Sequence, residues 1–241
     1  MLYAGTDKGK VRKLNEDSYV TASHQNLLLA AVADGMGGHK AGDVASGIVC
    51  RVIRDKFEKE PGPLDASWLE SAVADANREV FSYQEKYPEY HGMGTTVTAV
   101  LCQGREVLFA NVGDSRLYHL HQHGITQVSS DDSFVAELVR QGELTAEEAE
   151  RHPKKNLLLK AVGTDTDLEV STGSLLLREG DKLLLCSDGL TDKLSEDDID
   201  TIVRNHDPDE APGQCINLAN ERGGEDNITL VLVQPFESGR I

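Results

Sequence analysis

Three acidic residues in this chain occupy positions from which a sheet protein can gather carboxylates around a metal ion. Asp34 and Asp188 each end an apolar run, Asp226 precedes another, and each is followed directly by Gly or Asn. A carboxylate beside an apolar strand is costly unless its charge is compensated. Mg²⁺ and Mn²⁺ prefer carboxylate, carbonyl and water oxygens, and Gly35 leaves its own carbonyl accessible. Together the three positions favour a divalent-metal site, although any one alone is equally well explained as a turn or helix cap.

The composition is that of an acidic protein. The 241 residues include 24 basic and 41 acidic side chains, which gives a net charge of −17. This charge argues against nucleic acid and anionic membranes as main partners, because both would repel it. It suits a protein that collects cations, although much of the acidic excess serves solubility.

Other features of the sequence concern location and assembly. The N-terminus has no apolar signal core, and no stretch approaches the roughly 18 apolar residues that span a membrane. We therefore expect a cytoplasmic protein without membrane contact, and a monomer because no strongly apolar surface is evident. The four cysteines are widely spaced within apolar segments, which favours buried reduced thiols over disulfides or zinc.

The predicted strands and helices, which must position the acidic residues, are grouped along the sequence by type. Two amphipathic helices, separated at residues 61–63, follow a first hairpin, and further hairpins and short helices come after them. The predicted strands cover 17–22, 27–34, 95–102, 106–112, 116–121, 124–128, 170–177, 182–187 and 228–234. The predicted helices lie at 44–57, 68–81, 134–141, 145–151, 195–206 and 213–222. Strands in blocks without βαβ alternation indicate an α+β fold in which helices cover antiparallel sheets.

One segment differs in composition from the rest of the chain. Residues 131–166, here called the flap segment, are polar, charged and rich in short helical patterns. Such a segment fits a mobile flap beside a site. Asp114 and Arg116, which precede it, are expected to organise a turn through mutual or backbone hydrogen bonds. We treat residues 1–241 as one catalytic domain.

Seven motifs in order resemble those of the metal-dependent serine/threonine protein phosphatases of the 2C class, and in particular the bacterial single-domain type. The motifs are residues 12–17, 34–38, 92–96, 111–118, 130–133, 186–192 and 224–229. The likeness extends from about residue 5 to residue 233. It implies a sandwich of two central antiparallel sheets flanked by helices on both sides, and two Mn²⁺ or Mg²⁺ ions with a weaker third.

The resemblance also implies a role for each matching position. Asp34 would bridge the two ions, Gly35 would offer its carbonyl to one of them, and Asp188 and Asp226 would bind the other. Asp131 would bind the third ion. Arg12 would hold the substrate phosphate, a task suited to its planar guanidinium. Three further residues would support the site without being direct ligands: Glu16, Asp17 and Asn227.

The implied reaction is hydrolysis of phosphoserine and phosphothreonine on proteins, by direct attack of a water or hydroxide that bridges the two ions. It would reverse the action of a serine/threonine kinase, which is the implied partner. The departing oxygen needs a proton, and Met36 stands where many eukaryotic members have His. A water on the third ion is the preferred donor, with His39 as the alternative, and Asp132 offers none.

Two other functions stay open on the sequence alone. One is a metallophosphatase that acts on small phosphate esters, which only kinetics could distinguish. The other is a catalytically silent binding module with the same fold. Retention of Arg12, Asp34, Asp188 and Asp226 speaks against the silent module.

Overall fold

Two antiparallel β-sheets form the centre of the protein in a computed structural model that describes residues 1–37, 41–61 and 65–235. The strands are β1 (Leu2–Asp7), β2 (Asp17–His24), β3 (Leu27–Met36), β4 (Gly94–Thr95), β5 (Val97–Gln103), β6 (Glu106–Val112), β7 (Arg116–His121), β8 (Gly124–Gln127), β9 (Ser171–Leu176), β10 (Lys182–Cys186) and β11 (Ile228–Val233). One sheet has the order β1-β11-β10-β7-β8 and the other β2-β3-β5-β6-β9, with β4 paired to β3.

Helices cover the outer faces of both sheets. The α-helices among the described residues are α1 (Ala41–Lys59), α2 (Ala66–Lys86), α3 (Phe134–Arg140), α4 (Ala146–Glu150), α5 (Asp188–Thr191), α6 (Glu196–Asn205) and α7 (Ala211–Glu221). The helices α1 and α2 pack on the sheet that contains β3, whereas α6 and α7 pack on the sheet that contains β10. None of the helices among the described residues combines the length and apolar character that crossing a membrane requires.

The apolar run of β3 is continuous because the strand is buried on both faces. Leu28, Ala30 and Val32 pack between the two sheets. Leu29 and Ala31, which point the opposite way along the pleat, pack beneath α1 and α2. The predicted architecture of two antiparallel sheets with helices on both sides is therefore confirmed.

Most predicted elements lie within a few residues of their observed bounds, but β1 and α5 were not predicted, and β4 and β5 were predicted as one strand. Strand β1 pairs along its whole length with β11, but its sequence alternates only weakly. The predicted cap of α6 is present: the Ser195 side chain accepts a hydrogen bond from the backbone of Asp198, whose side chain accepts one in return. Residues 62 and 63 of the predicted break between α1 and α2 lie outside the described residues.

Antiparallel pairing brings the acidic strand ends to one end of the sandwich. Asp17, at the start of β2, stands opposite Asp34 near the end of β3. The end of β10 pairs with the beginning of β11, with Cys186 opposite Leu230. Asp188, just after β10, and Asp226, just before β11, are therefore neighbours at that same end.

Candidate metal centre

A cavity of about 200 Å³ opens at this end of the sandwich. Carboxylates from separate parts of the chain converge on it, together with Arg12 and two residues of the flap segment. The lining residues are Arg12, Glu16, Asp34, Gly35, Met36, Gly37, Thr96, Asp114, Asn156, Leu158, Asp188, Asp226 and Asn227. Seven of the nine residues singled out from the sequence thus line one cavity, and Asp17 and Asp131 lie outside its wall.

The backbone of Asp34 is held by Thr95, the last residue of β4, and by Thr96, which follows it. The Asp34 N–H donates to Thr96 Oγ1 at 2.9 Å, and Thr95 Oγ1 donates to the Asp34 carbonyl at 2.8 Å. The Thr96 N–H donates to that same carbonyl at 2.9 Å. The Asp34 carboxylate is therefore free for other contacts while its main chain is fixed.

Asp17 lies beneath the cavity and is only 8% exposed. Its Oδ2 accepts a hydrogen bond from Ser187 Oγ at 2.8 Å. Because Ser187 immediately precedes Asp188, this contact ties β2 to the start of α5. Ser187 Oγ also accepts from the Thr229 N–H at 3.0 Å, which extends the connection to β11.

Asn227 fixes the N-terminal loop that carries Arg12. Its Oδ1 accepts from the Glu16 N–H at 2.8 Å, and its Nδ2 donates to the carbonyls of Lys8 and Leu14, each at 2.9 Å. The Arg12 guanidinium at the tip of this loop forms an ion pair of 2.7 Å with Asp226. Asn227 therefore positions the loop and does not offer a free oxygen to the cavity.

Gly35 is required by close packing. A Cβ built at this position would lie 2.1 Å from the Gly42 carbonyl oxygen and 2.5 Å from the Glu16 carbonyl oxygen. The sequence interpretation, that glycine merely leaves a carbonyl accessible, missed this contact between β3, the start of α1 and the Arg12 loop.

Substitution Gly35→Ala is therefore expected to destabilise the protein by about 1 to 3 kcal/mol through overpacking. Gly47→Ala is the matched control, because nothing lies within 4 Å of a Cβ at this position in α1. The control should be neutral or stabilising, since alanine is the better helix former. Thermal unfolding of the two variants measures the difference. Equal melting temperatures would show that the backbone relaxes around the added methyl group.

The crowded carboxylates resist ionisation. Burial and the neighbouring Asp17 and Asp188 raise the pKa of Asp34 well above its ordinary value. Burial, opposed by hydrogen bonds from Thr229 and Ser187, raises the pKa of Asp17 to about 7. Burial and the charge of Asp226 raise the pKa of Asp188 to about 6. Each of these shifts indicates negative charge that the protein alone does not compensate.

The donor set fits hard divalent cations. Buried Oδ1 atoms of Asp17 and Asp188 have no hydrogen-bond partner among the described residues, and oxygen-rich carboxylate sites suit Mg²⁺ and Mn²⁺. No three His, Cys, Asp or Glu side chains within the described ranges already stand at ligand spacing. The unpaired buried oxygens still indicate a cation site, because carboxylates that repel one another turn toward a common point only when a cation balances their charge.

Asp114 is a member of the acidic group that sequence reasoning missed. It lines the cavity beside Asp188, and burial together with Asp188 and Asp131 raises its pKa to about 7. Asp114 and Arg116 were expected to organise a turn through mutual or backbone hydrogen bonds, and of these two alternatives the mutual pairing is not what the structure shows. Arg116 instead donates three hydrogen bonds of 2.7 to 3.1 Å to the Asp131 carboxylate.

Asp131 lies in the groove that adjoins the cavity, together with Asp188 and Asp114. Besides its contacts with Arg116, its Oδ1 accepts from Gln127 Nε2 at 2.7 Å. Both carboxylate oxygens of Asp131 thus already have donors. This arrangement leaves Asp131 less available to a cation than Asp114.

The departing oxygen needs a proton, and the structure describes two of the three residues discussed above for that role. Met36 lines the cavity and has no proton to give. Asp132 is buried, and its carboxylate accepts from the Gly113 N–H at 3.2 Å, which links the base of the flap segment to the turn before β7. His39 lies outside the described residues.

The chain is similar to known proteins over most of its length. Residues 4–212 match the family described as Protein phosphatase 2C. The serine/threonine phosphatase stp of Listeria monocytogenes serotype 4b is 41% identical over 235 residues, which cover 95% of this chain and 93% of that protein. The solved structure of the S. agalactiae serine/threonine phosphatase has a TM-score of 0.91 at 37% identity, covering 96% of this chain and 98% of that one.

A second solved structure includes metal ions. The catalytic domain of the serine/threonine phosphatase PstP, in complex with two manganese ions, has a TM-score of 0.86 at 38% identity, covering 96% of both chains. Identity at this level over nearly the whole chain establishes the family. The chain therefore belongs to the protein phosphatase 2C family and is a metal-dependent serine/threonine protein phosphatase.

Proposed function

We propose that the cavity is the catalytic site and that it removes phosphate from phosphoserine and phosphothreonine on proteins. The observation that carries this proposal is the convergence of buried, mutually repelling carboxylates on a cavity that also contains Arg12. A phosphatase needs cations and a phosphate-binding group at one place, and this cavity offers ligands for the first beside the second.

We assign the two main ions to Asp34, the Gly35 carbonyl, Asp188 and Asp226. Glu16 and Asp17 would act through waters around the ions. When bound, Mn²⁺ or Mg²⁺ lowers the pKa of water and neutralises charge on phosphoryl oxygens. Support for this assignment comes from the raised pKa values of Asp34 and Asp188 and from the two manganese ions in the PstP structure.

Arg12 would orient the phosphoryl group. Its side chain is 47% exposed and lines the cavity, so an incoming phosphate can reach it. Two parallel N–H donors suit two phosphoryl oxygens. Met36 cannot protonate the departing oxygen, so the proton must come from another group.

A weaker third ion would lie at Asp114 and Asp188, in place of the Asp131 site inferred from the resemblance. The reason is that Asp131 is already bonded by Arg116 and Gln127, whereas Asp114 lies beside Asp188. Asp114→Asn is expected to lower kcat roughly 10-fold or more, as the loss of a supporting carboxylate does at other metal sites. A calorimetric count of bound Mn²⁺ should fall by one ion.

Asp131→Asn is the matched comparison, since it removes the same charge from the neighbouring position. It should leave the Mn²⁺ count unchanged and alter activity less. If the count of bound Mn²⁺ falls more in Asp131→Asn than in Asp114→Asn, the third ion is bound by Asp131 and not by Asp114.

Kinetics separate this function from the two alternatives. With Mn²⁺ present, a phosphothreonine peptide should be hydrolysed with a higher kcat/KM than a small sugar phosphate, and EDTA should abolish both activities. The opposite ranking would favour a metallophosphatase of small esters. No hydrolysis of either substrate, with Mn²⁺ bound, would favour a silent binding module.

The wider setting follows from the reaction. Phosphoprotein substrates imply a serine/threonine kinase that makes them, and we propose such a kinase as the functional partner. A cytoplasmic location and a monomeric state stay predictions, and the ion bound in the cell is either Mn²⁺ or Mg²⁺. Size-exclusion chromatography with light scattering would test the monomer.

A further inference from the structure

A groove of about 980 Å³ continues from the catalytic cavity beneath the flap segment. Asp114, Asn156 and Asp188 line both spaces. The catalytic cavity, at about 200 Å³, is smaller than the roughly 300 to 1,000 Å³ of pockets that enclose a whole small ligand. A phosphorylated side chain can enter it, but the polypeptide on either side of that residue must lie elsewhere.

Two separate parts of the chain form the walls of the groove. One is the underside of the flap segment, where α3 and α4 present small apolar side chains. The other is the stretch from α5 to the start of α6, residues 191–196. The apolar residues on the flap side are Val135, Ala136, Val139, Ala146 and Ala149. Val139 is partly exposed and Ala146 is exposed, so both can contact an incoming chain.

The five Lys and Arg side chains that line the groove already have acidic partners. These ion pairs are Lys155–Asp192 at 2.6 Å, Arg140–Glu137 at 2.7 Å, Arg116–Asp131 at 2.7 Å, Arg151–Glu147 at 3.0 Å and Lys193–Glu225 at 2.5 Å. An acidic ligand would have to compete with these partners. An apolar side chain would instead bury against the aliphatic surface that the flap side leaves exposed, which is favourable in proportion to the area covered.

The ion pair between Lys155 and Asp192 also joins the flap segment to the end of α5. It therefore helps to set the distance between the two walls before a ligand arrives. A groove of fixed width binds at a lower entropic cost than one that must form on binding.

We propose that this groove binds the polypeptide that flanks the phosphorylated residue, and that an apolar side chain of that flank packs against Val139 and Ala146. The proposal rests on the proposed function, because it takes a phosphoprotein as the substrate. It adds a sequence preference: flanks with a leucine-like side chain are favoured and acidic flanks are disfavoured.

The test fills the groove and compares a substrate that uses it with one that does not. Val139→Trp and Ala146→Trp place bulk in the groove, and Ala146 loses no packing because it is exposed. The substrates are p-nitrophenyl phosphate and phosphothreonine peptides with leucine, lysine or aspartate at the flanking positions. Both variants should raise KM for the leucine peptides about 10-fold while kcat/KM for p-nitrophenyl phosphate stays within about twofold, because burial of a leucine side chain is worth at least that factor.

Gln141→Trp is the matched control. Gln141 is a neutral, exposed residue of the same segment that does not line the groove, so this variant should behave as the wild type with every substrate. An unchanged KM for the leucine peptides in both groove variants would overturn the proposal, and so would an equal loss for all substrates. A wild-type enzyme that hydrolyses p-nitrophenyl phosphate but no phosphopeptide would instead overturn the proposed function.

Discussion

Replacing Asp34 with Asn is expected to lower kcat/KM for a phosphothreonine peptide on the order of a thousandfold or more. Asp34 is the carboxylate that four others surround, since Asp17, Asp188, Asp114 and Asp226 all contribute to its raised pKa. Loss of this charge would weaken the binding of both main ions. Their stabilisation of the transition state is worth several kcal/mol. The measurement is steady-state kinetics at saturating Mn²⁺.

The same substitution is expected to stabilise the protein when EDTA is present. A carboxyl whose pKa is raised on folding destabilises the folded state as pH rises from the unfolded value through the raised one. Asparagine carries no charge at any pH and avoids this penalty. The melting temperature of Asp34→Asn at pH 8 should therefore exceed that of the wild type, and the gain should shrink toward pH 4.

Addition of Mn²⁺ should reverse this difference, so that the wild type has the higher melting temperature. A ligand that binds only the folded state raises its stability according to its concentration and affinity, so the wild type should gain more than Asp34→Asn. Asp209→Asn is the control, because Asp209 is exposed and does not line the cavity. A variant that retains full activity, or whose melting temperature responds to Mn²⁺ as the wild type does, would remove Asp34 from the metal centre.

The sequence indicated candidate site residues where a short local pattern places a carboxylate at the end of a strand. Asp34 and Asp188 could be identified because each follows an apolar run, and antiparallel pairing of such strands brings their ends together. The antiparallel architecture was predicted correctly from local strand and helix patterns. The family and the enzyme class were predicted correctly from the resemblance of seven motifs, whose order extends over nearly the whole chain.

Asp114 could not be recognised in this way. An Asp between a Gly and a Ser after a strand is typical of any turn, and nothing in residues 111–118 indicates which carboxylates lie nearby. Its position depends on Asp132, which holds the turn through the Gly113 N–H at 3.2 Å. The partner of Arg116 was missed for the same reason, since Asp131 follows it by 15 residues.

The roles of Gly35 and Asn227 also needed tertiary contacts. Gly35 is required by the approach of the Gly42 carbonyl from α1, and local sequence suggested only an accessible backbone. Asn227 contacts a loop more than 200 residues earlier in the chain. Sequence patterns thus identified which strands carry the acidic residues, whereas the packing of loops against one another decides how these residues are held.

Substitution Arg12→Ala is expected to raise KM for phosphopeptides by an amount on the order of 1.5 to 3 kcal/mol, or roughly 10- to 150-fold. This is the value of a hydrogen bond to a charged group, and Arg12 is the cation that lines the catalytic cavity. The change in kcat should be smaller if the contact is already made in the bound substrate. Steady-state kinetics with a phosphothreonine peptide would separate the two parameters.

Arg12 also pairs with Asp226 at 2.7 Å, so its loss could act through the metal ions instead of the phosphate. Calorimetric titration of Mn²⁺ distinguishes these routes. Removal of the guanidinium frees Asp226 from a competing cation, and the Mn²⁺ affinity of Arg12→Ala should therefore equal or exceed that of the wild type. Lys13→Ala controls for the lost positive charge, because Lys13 is exposed on the same loop, and it should leave KM unchanged. Weaker Mn²⁺ binding in Arg12→Ala, or an equal rise of KM in Lys13→Ala, would mean that Arg12 does not hold the phosphate itself.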